Sequence, residues 1–265
     1  SLDPRTFGSP YTFIASGIIY NTLIEIHGLN AELRPGLAKS WSSDDGKLWT
    51  FELVDNATFH DGRPFTAQDA VYSILSHVHE TSRSSIRGRI AAIDTIRAEG
   101  DHTMIVELGE ANFTFPTVMA SFNLCMVPDG TTEYDGIGTG PFRVTEFRTN
   151  DVIQLEANPN YRDPAKPRFA TLTFKGGGDA AAAGRAVLET GEFDYAWNLQ
   201  LAPDVIAGMV AAGRGEALSA FGTLVERIEM NLTDPSPSLP EGERSTTKHP
   251  HPILSDIRVR KALSM

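Results

Sequence analysis

Cysteine is nearly missing from this sequence. Cys125 stands alone among 265 residues, so no intrachain disulfide can form and no cysteine-based zinc site can be built. A solitary cysteine of this kind is expected to be a buried small hydrophobe. Long apolar runs are missing too: stretches such as Ile14 to Tyr20 and Leu124 to Val127 fall far below the ~20 residues of a bilayer-spanning helix. Positive charge is scarce and scattered, with 23 Lys and Arg against 34 Asp and Glu and a formal net charge of -11. Neutralising phosphates takes clustered cations, so nucleic acid is not an expected partner. There is no G-x-S-x-G elbow for serine hydrolysis. The chain opens on Ser1 with no Met, basic n-region or apolar h-region, so a signal peptide is expected to be absent or already removed.

What is present suits a soluble, core-forming protein, at 41% hydrophobic and 22% charged residues. Ile14, Ile18, Ile19, Leu23 and Ile26 fall near helical spacing behind Ser9 and Pro10, an N-cap followed by proline in the first turn, which predicts a helix over 10–26. Pro35 to Ala38 suits a turn into a short helical segment. Trp49, Phe51 and Leu53 alternate with Thr50 and Glu52 behind the turn Asp44, Asp45, Gly46, which predicts a strand of a hairpin. Thr66 with Asp69 three positions on forms a capping box ahead of a helix expected to bury Val71, Ile74, Leu75 and Val78. Ile93 to Ala98 and Met104 to Leu108 flank the turn at Gly100 as a second hairpin. Residues 39–137 thus form an expected α+β unit.

Beyond the glycine-punctuated stretch 136–141, strands are expected at Phe142 to Glu146 and Val152 to Glu156. The last third alternates strand and helix: Thr171 to Phe174, Asp179 to Glu189, Phe193 to Ala196, Pro203 to Ala212. That rhythm predicts α/β architecture with a partly parallel sheet. Residues 234–252, dense in Pro, Ser, Thr and charge, predict a long surface loop. From Ser255 an amphipathic helix runs to Met265 without a terminator, which predicts a fragment cut inside a helix.

Several motifs carry a functional and a plain reading. Gly176 to Gly178 precede a helix, but Asp179 would repel an anion, so a turn is expected. Gly136, Gly138 and Gly140 resemble half a dinucleotide fingerprint, yet Pro141 and a strand follow where a helix is required. His60 with Asp61 offers acid/base chemistry, although adjacent strand residues face opposite ways and a structural turn is favoured. His249 and His251 lack a third ligand nearby, so no metal is expected.

The ordered pieces resemble the family-5 extracellular solute-binding proteins, which include dipeptide, oligopeptide and nickel carriers of ABC transporters. The resemblance rests on Leu2, Asp3, Pro4 leading to Tyr20, Asn21, Thr22, Leu23, and on the run LAKSWSSDDGKLWTFELVDNATFHDGRPFTAQDAVYSI from Leu37 onward. It continues in GIGTGPFRVTEF at 136–147, LEANPNYRD at 155–163, LETGEFDYA at 188–196 and HPILSDIRVRKALSM at 251–265. Asn21 replaces an acidic residue usual in the family, and the 234–252 loop is longer than common.

The resemblance implies a periplasmic binding protein type II-like α/β fold. Residues 1–38 and 138–232 would form a discontinuous domain I, 39–137 an inserted α+β domain II, and 233–265 a loop and the start of domain III, with the second lobe absent. It implies capture of peptides or similar small polar solutes for an ABC permease in the membrane, without catalysis or cofactors, by a monomer that is periplasmic or an extracellular lipoprotein. Expected ligand-binding residues are Tyr11, Thr12 and Phe13 at the first helix start, Phe122 and Asn123, and Trp197, Asn198 and Gln200. The last three are expected beyond the carboxyl end of a strand, where open α/β sheets bind ligands. The rival readings are a hydrolase using His60 and Asp61, and a nickel or metal-chelate carrier.

Overall fold

A computed structural model describes residues 2–6, 17–27, 31–80, 82–219 and 228–264. The chain forms two compact units, Ser1–Ala217 and Leu218–Met265, each described here by itself. The first is a mixed α/β assembly whose strands all pair antiparallel among the described residues.

β1 (Ile24–His27) and β2 (Glu32–Pro35) form a two-stranded ribbon. β3 (Ala38–Ser42), β4 (Leu48–Leu53), β5 (Ile93–Glu99) and β6 (Thr103–Leu108) make a four-stranded sheet in the order β3-β4-β6-β5. On β4 the expected alternation holds: Trp49, Phe51 and Leu53 are buried, and the rings of Trp49, Phe51 and Phe115 pack 6.2 to 6.4 Å apart. α1 (Ala67–Ser76) covers this sheet through Val71 and Ile74. Its capping box is present, with Asp69 Oδ2 accepting from Thr66 N and Thr66 Oγ1 at 2.8 Å each. The short helices α2 (Arg87–Ile90) and α3 (Phe115–Met119) complete the core.

A second buried cluster gathers Leu2, Ile19, Tyr20, Cys125, Val127, Phe142 and Leu155. It is built on the three-stranded sheet β7 (Phe142–Arg148), β8 (Val152–Ala157) and β9 (Thr171–Lys175). Cys125 is buried as expected, and burial pushes its thiol well above the usual range. α4 (Ala180–Leu188) and α5 (Pro203–Val210) follow. In the second unit, residues 234–252 are a turn-rich loop closed by a bridge between Thr233 and Pro250. α6 (Ile257–Leu263) starts at the Asp256 cap.

Four expectations fail. Of the helix over 10–26, residues 10–16 lie outside the described residues and 17–19 are helical, but Ile24–His27 is a strand, because it hydrogen-bonds in register with β2. Pro35 to Ala38 links β2 to β3 instead of starting a helix. Leu75 is 45% exposed instead of buried, since it sits at the rim of an apolar cavity of about 490 Å³ lined also by Ile74, Val78, Ile90, Ile93 and Ile96. Finally, Phe193 to Ala196 is not a strand and the sheet is not partly parallel. That segment has no strand partner among the described residues, and Tyr195 is 72% exposed.

Candidate functional site

Trp197, Asn198 and Gln200 lie on a connection between α4 and α5, not at the end of a strand. Leu199 and Leu201 are partly buried and come within reach of Gly184 on α4, where the Met209 sulfur of α5 also packs. A Cβ on Gly184 would sit 2.9 Å from that sulfur, so the glycine lets the connection lie close against the helix. With the leucines turned inward, Asn198 and Gln200 are exposed and Trp197 is 40% exposed. Asn198 has φ 58°, a left-handed conformation that asparagine tolerates better than most residues. The result is a short surface strip offering an indole face and two amides, groups that stack on and hydrogen-bond neutral polar ligands.

The other expected site residues are placed differently. Phe122 is 37% exposed, and its carbonyl accepts from the Cys125 thiol at 3.0 Å. Asn123 is 1% exposed, and its Nδ2 donates to the Pro4 carbonyl at 3.1 Å, so this side chain tethers the N-terminal segment. Tyr11, Thr12 and Phe13 lie outside the described residues.

His60 and Asp61 turn to different partners. The Asp61 carboxylate accepts from Arg63 Nε at 2.9 Å, while the His60 ring faces the backbone of Gly136, Gly138 and Gly140. That geometry suits a structural turn and not an acid/base dyad. Asp179 caps its own helix by accepting from Ala182 N at 2.7 Å, which fills the helix start behind Gly176 to Gly178. His249 Nε2 lies 2.8 Å from Glu243 Oε2, and His251 Nδ1 accepts from Ile253 N and Leu254 N. Among the described residues no three His, Cys, Asp or Glu side chains gather as metal ligands.

A polar cluster that sequence reasoning missed surrounds the N-terminal segment. Asp3 and Arg5 form a bidentate ion pair, and the Arg5 guanidinium stacks 4.4 Å over the Tyr134 ring. Nearby, Tyr20 Oη donates to the Leu2 carbonyl at 3.0 Å. The partners lie far apart in sequence, so only the short Asp3 to Arg5 spacing carried any signal.

Comparison with known proteins gives a consistent placement. The family model described as bacterial extracellular solute-binding proteins, family 5 Middle, matches residues 32–265. The periplasmic oligopeptide-binding protein OppA of Escherichia coli is 30% identical over 201 residues, covering 66% of this chain and 37% of that protein. The solved structure of the Escherichia coli murein tripeptide binding protein MppA matches with TM-score 0.65 and 27% identity, over 72% of this chain and 42% of the other. A nickel ABC transporter structure from Bacillus halodurans matches with TM-score 0.65 and 28% identity, over 73% and 40% respectively. The chain thus spans about two fifths of the length of these relatives. It belongs to the bacterial extracellular solute-binding proteins of family 5.

Proposed function

We propose that this chain is the N-terminal part of the substrate-binding component of an ABC importer, one that captures a peptide or similar small polar solute outside the cytoplasm and hands it to the membrane permease. The observation that carries this reading is the family match over residues 32–265. The relatives OppA and MppA are named for oligopeptide and murein peptide binding, which favours a peptide-like solute, and both are named as periplasmic. In this reading residues 1–38 and 138–232 belong to one domain and 39–137 to an inserted domain. The two buried clusters follow that division only in part, because Leu23, Ile24, Leu37 and Ala38 lie in the first cluster and Cys125 and Val127 in the second. Trp197, Asn198 and Gln200 contribute to one wall of the cleft, by stacking and uncharged hydrogen bonds. Closure of a second lobe by hinge motion completes the site, and no bond is broken there.

The test uses the full-length protein. Native mass spectrometry is expected to find a bound peptide, and Trp197→Ala is expected to weaken its binding by about 10- to 100-fold, the range of one lost aromatic contact. Because Trp197 is partly exposed, thermal stability should change little. Unchanged affinity in both Trp197→Ala and Asn198→Ala would remove this strip from the site. A nickel-chelate carrier is the second reading, favoured by the nickel transporter relative. It predicts a rise in melting temperature with nickel and none with peptides.

A further inference from the structure

The stretch from Gly136 to Gly140, which leads into β7, is held from two sides. On one side it presses against residues 18–20: a Cβ on Gly138 would sit 2.2 Å from the Ile19 carbonyl oxygen, and one on Gly140 2.3 Å from that of Ile18. On the other side stands His60, in the turn between β4 and α1. Its backbone N donates to the Gly138 carbonyl at 2.9 Å. Its ring Nε2 is 3.0 Å from the Gly140 carbonyl oxygen, and its Nδ1 is 3.2 Å from Gly138 N and 3.3 Å from the Gly136 carbonyl oxygen.

These distances favour one neutral form of the ring. A carbonyl only accepts, so Nε2 carries a proton and donates to Gly140. In the neutral ring Nδ1 is then a lone pair, and it accepts the Gly138 N–H. Adding a proton to Nδ1 reverses its role: it donates to the Gly136 carbonyl and meets the Gly138 N–H donor against donor. We propose that His60 is a proton-operated latch on the 136–140 crossover, holding the Gly138 amide when neutral and exchanging it for the Gly136 carbonyl when protonated. The inference stands whatever the solute. It concerns a segment that joins the turn after β4 to the start of β7.

The surrounding charges oppose one another. Burial is the largest influence and lowers the imidazole below its ordinary value, the hydrogen bonds to Gly140 and Gly136 raise it, Arg143 on β7 lowers it and Asp61 raises it. Arg143 is paired with Glu156 of β8 at 2.8 Å and Asp61 with Arg63 at 2.9 Å, while Asp135 precedes Gly136 in the chain. Residues 18–20 contribute only the Tyr20 phenol, which burial keeps protonated. Because the folded value lies below the unfolded one, the neutral latch is closed above the ordinary histidine range. It opens as pH falls through the folded value.

Nuclear magnetic resonance on the whole chain tests this. At about pH 7.5 the His60 ring nitrogens should report the Nε2–H tautomer, and between about pH 7.5 and 4.5 the Gly138 amide should lose protection from hydrogen exchange by about tenfold or more, the equivalent of one pKa unit. His60→Asn keeps an acceptor at the δ position without a titrating ring, and its Gly138 protection should be independent of pH. The proposal is overturned by an Nδ1–H tautomer at neutral pH, by unchanged Gly138 protection in the wild type, or by the same pH response in His60→Asn. Should that variant not fold, the two wild-type readouts decide alone.

Discussion

His77 shows how much one buried ring can weigh. It ends α1, is fully enclosed, and places Nδ1 2.7 Å from Ser84 Oγ. Burial pushes its pKa down to about 4; Asp3 raises it, Arg5 lowers it, and the Asn123 carbonyl raises it. The folded value lies below the ordinary 6.5, so on acidification the unfolded chain binds the proton first. Stability from this residue is therefore complete above pH 6.5 and is lost as pH falls toward about 4, by up to about 3 kcal/mol. Urea unfolding of the wild type should show that decline, and His77→Gln, which cannot titrate, should flatten it. An equal slope in both proteins would assign acid sensitivity elsewhere. Nothing in the sequence marked His77 as different from His79, because the Asp3 and Arg5 charges and the Asn123 backbone that act on its ring are distant along the chain. The tether made by Asn123 was hidden for the same reason: Pro4, which it holds, lies 119 residues away.

At the scale of elements, what was legible is what closes locally. Thr66 and Asp69 stand three positions apart, so their capping box could be read directly, and the hairpins around Gly46 and Gly100 followed from alternation on either side of a turn. Asp69 nevertheless does more than the motif states, since its Oδ1 also accepts from Asp129 N at 2.8 Å and so fastens the helix start to the 121–134 segment. Thr66→Ala should cost about 1 kcal/mol, as a lost cap. Asp69→Ala should cost about 3 kcal/mol, because it also leaves the Asp129 amide without its carboxylate. Urea midpoints separate the two, and equal losses would confine Asp69 to capping. By contrast, Ile24 to His27 carried both helical spacing and β-branched alternation, and pairing with β2 decided between them. Phe193 to Ala196 had strand-like residues but pairs with no strand among the described residues, and a strand gains its stability from pairing.

The whole first unit rests on two apolar clusters that the sequence could not apportion. Strands from β3 to β6 fill one, and β7 to β9 fill the other, while residues 125 and 127 belong to the second cluster and 124 and 126 to the first. Alternating positions on a single extended segment thus feed both cores, and the 136–140 crossover is a second tie between them. If the clusters are separate cooperative units, damage to one should stay there. Leu155→Ala empties a fully enclosed site in the second cluster and should cost about 2–5 kcal/mol, whereas Phe51→Ala should cost about 3–5 kcal/mol in the first. Native-state hydrogen exchange would then show protection falling in β7 to β9 for the former and in β3 to β6 for the latter. Loss of protection spread evenly over all seven strands by either substitution would mean that the segment 124–127 couples the clusters into one unit. In that case the proposed inserted domain would have no independent stability, and the hinge of any closing motion would have to lie outside this pair of sheets.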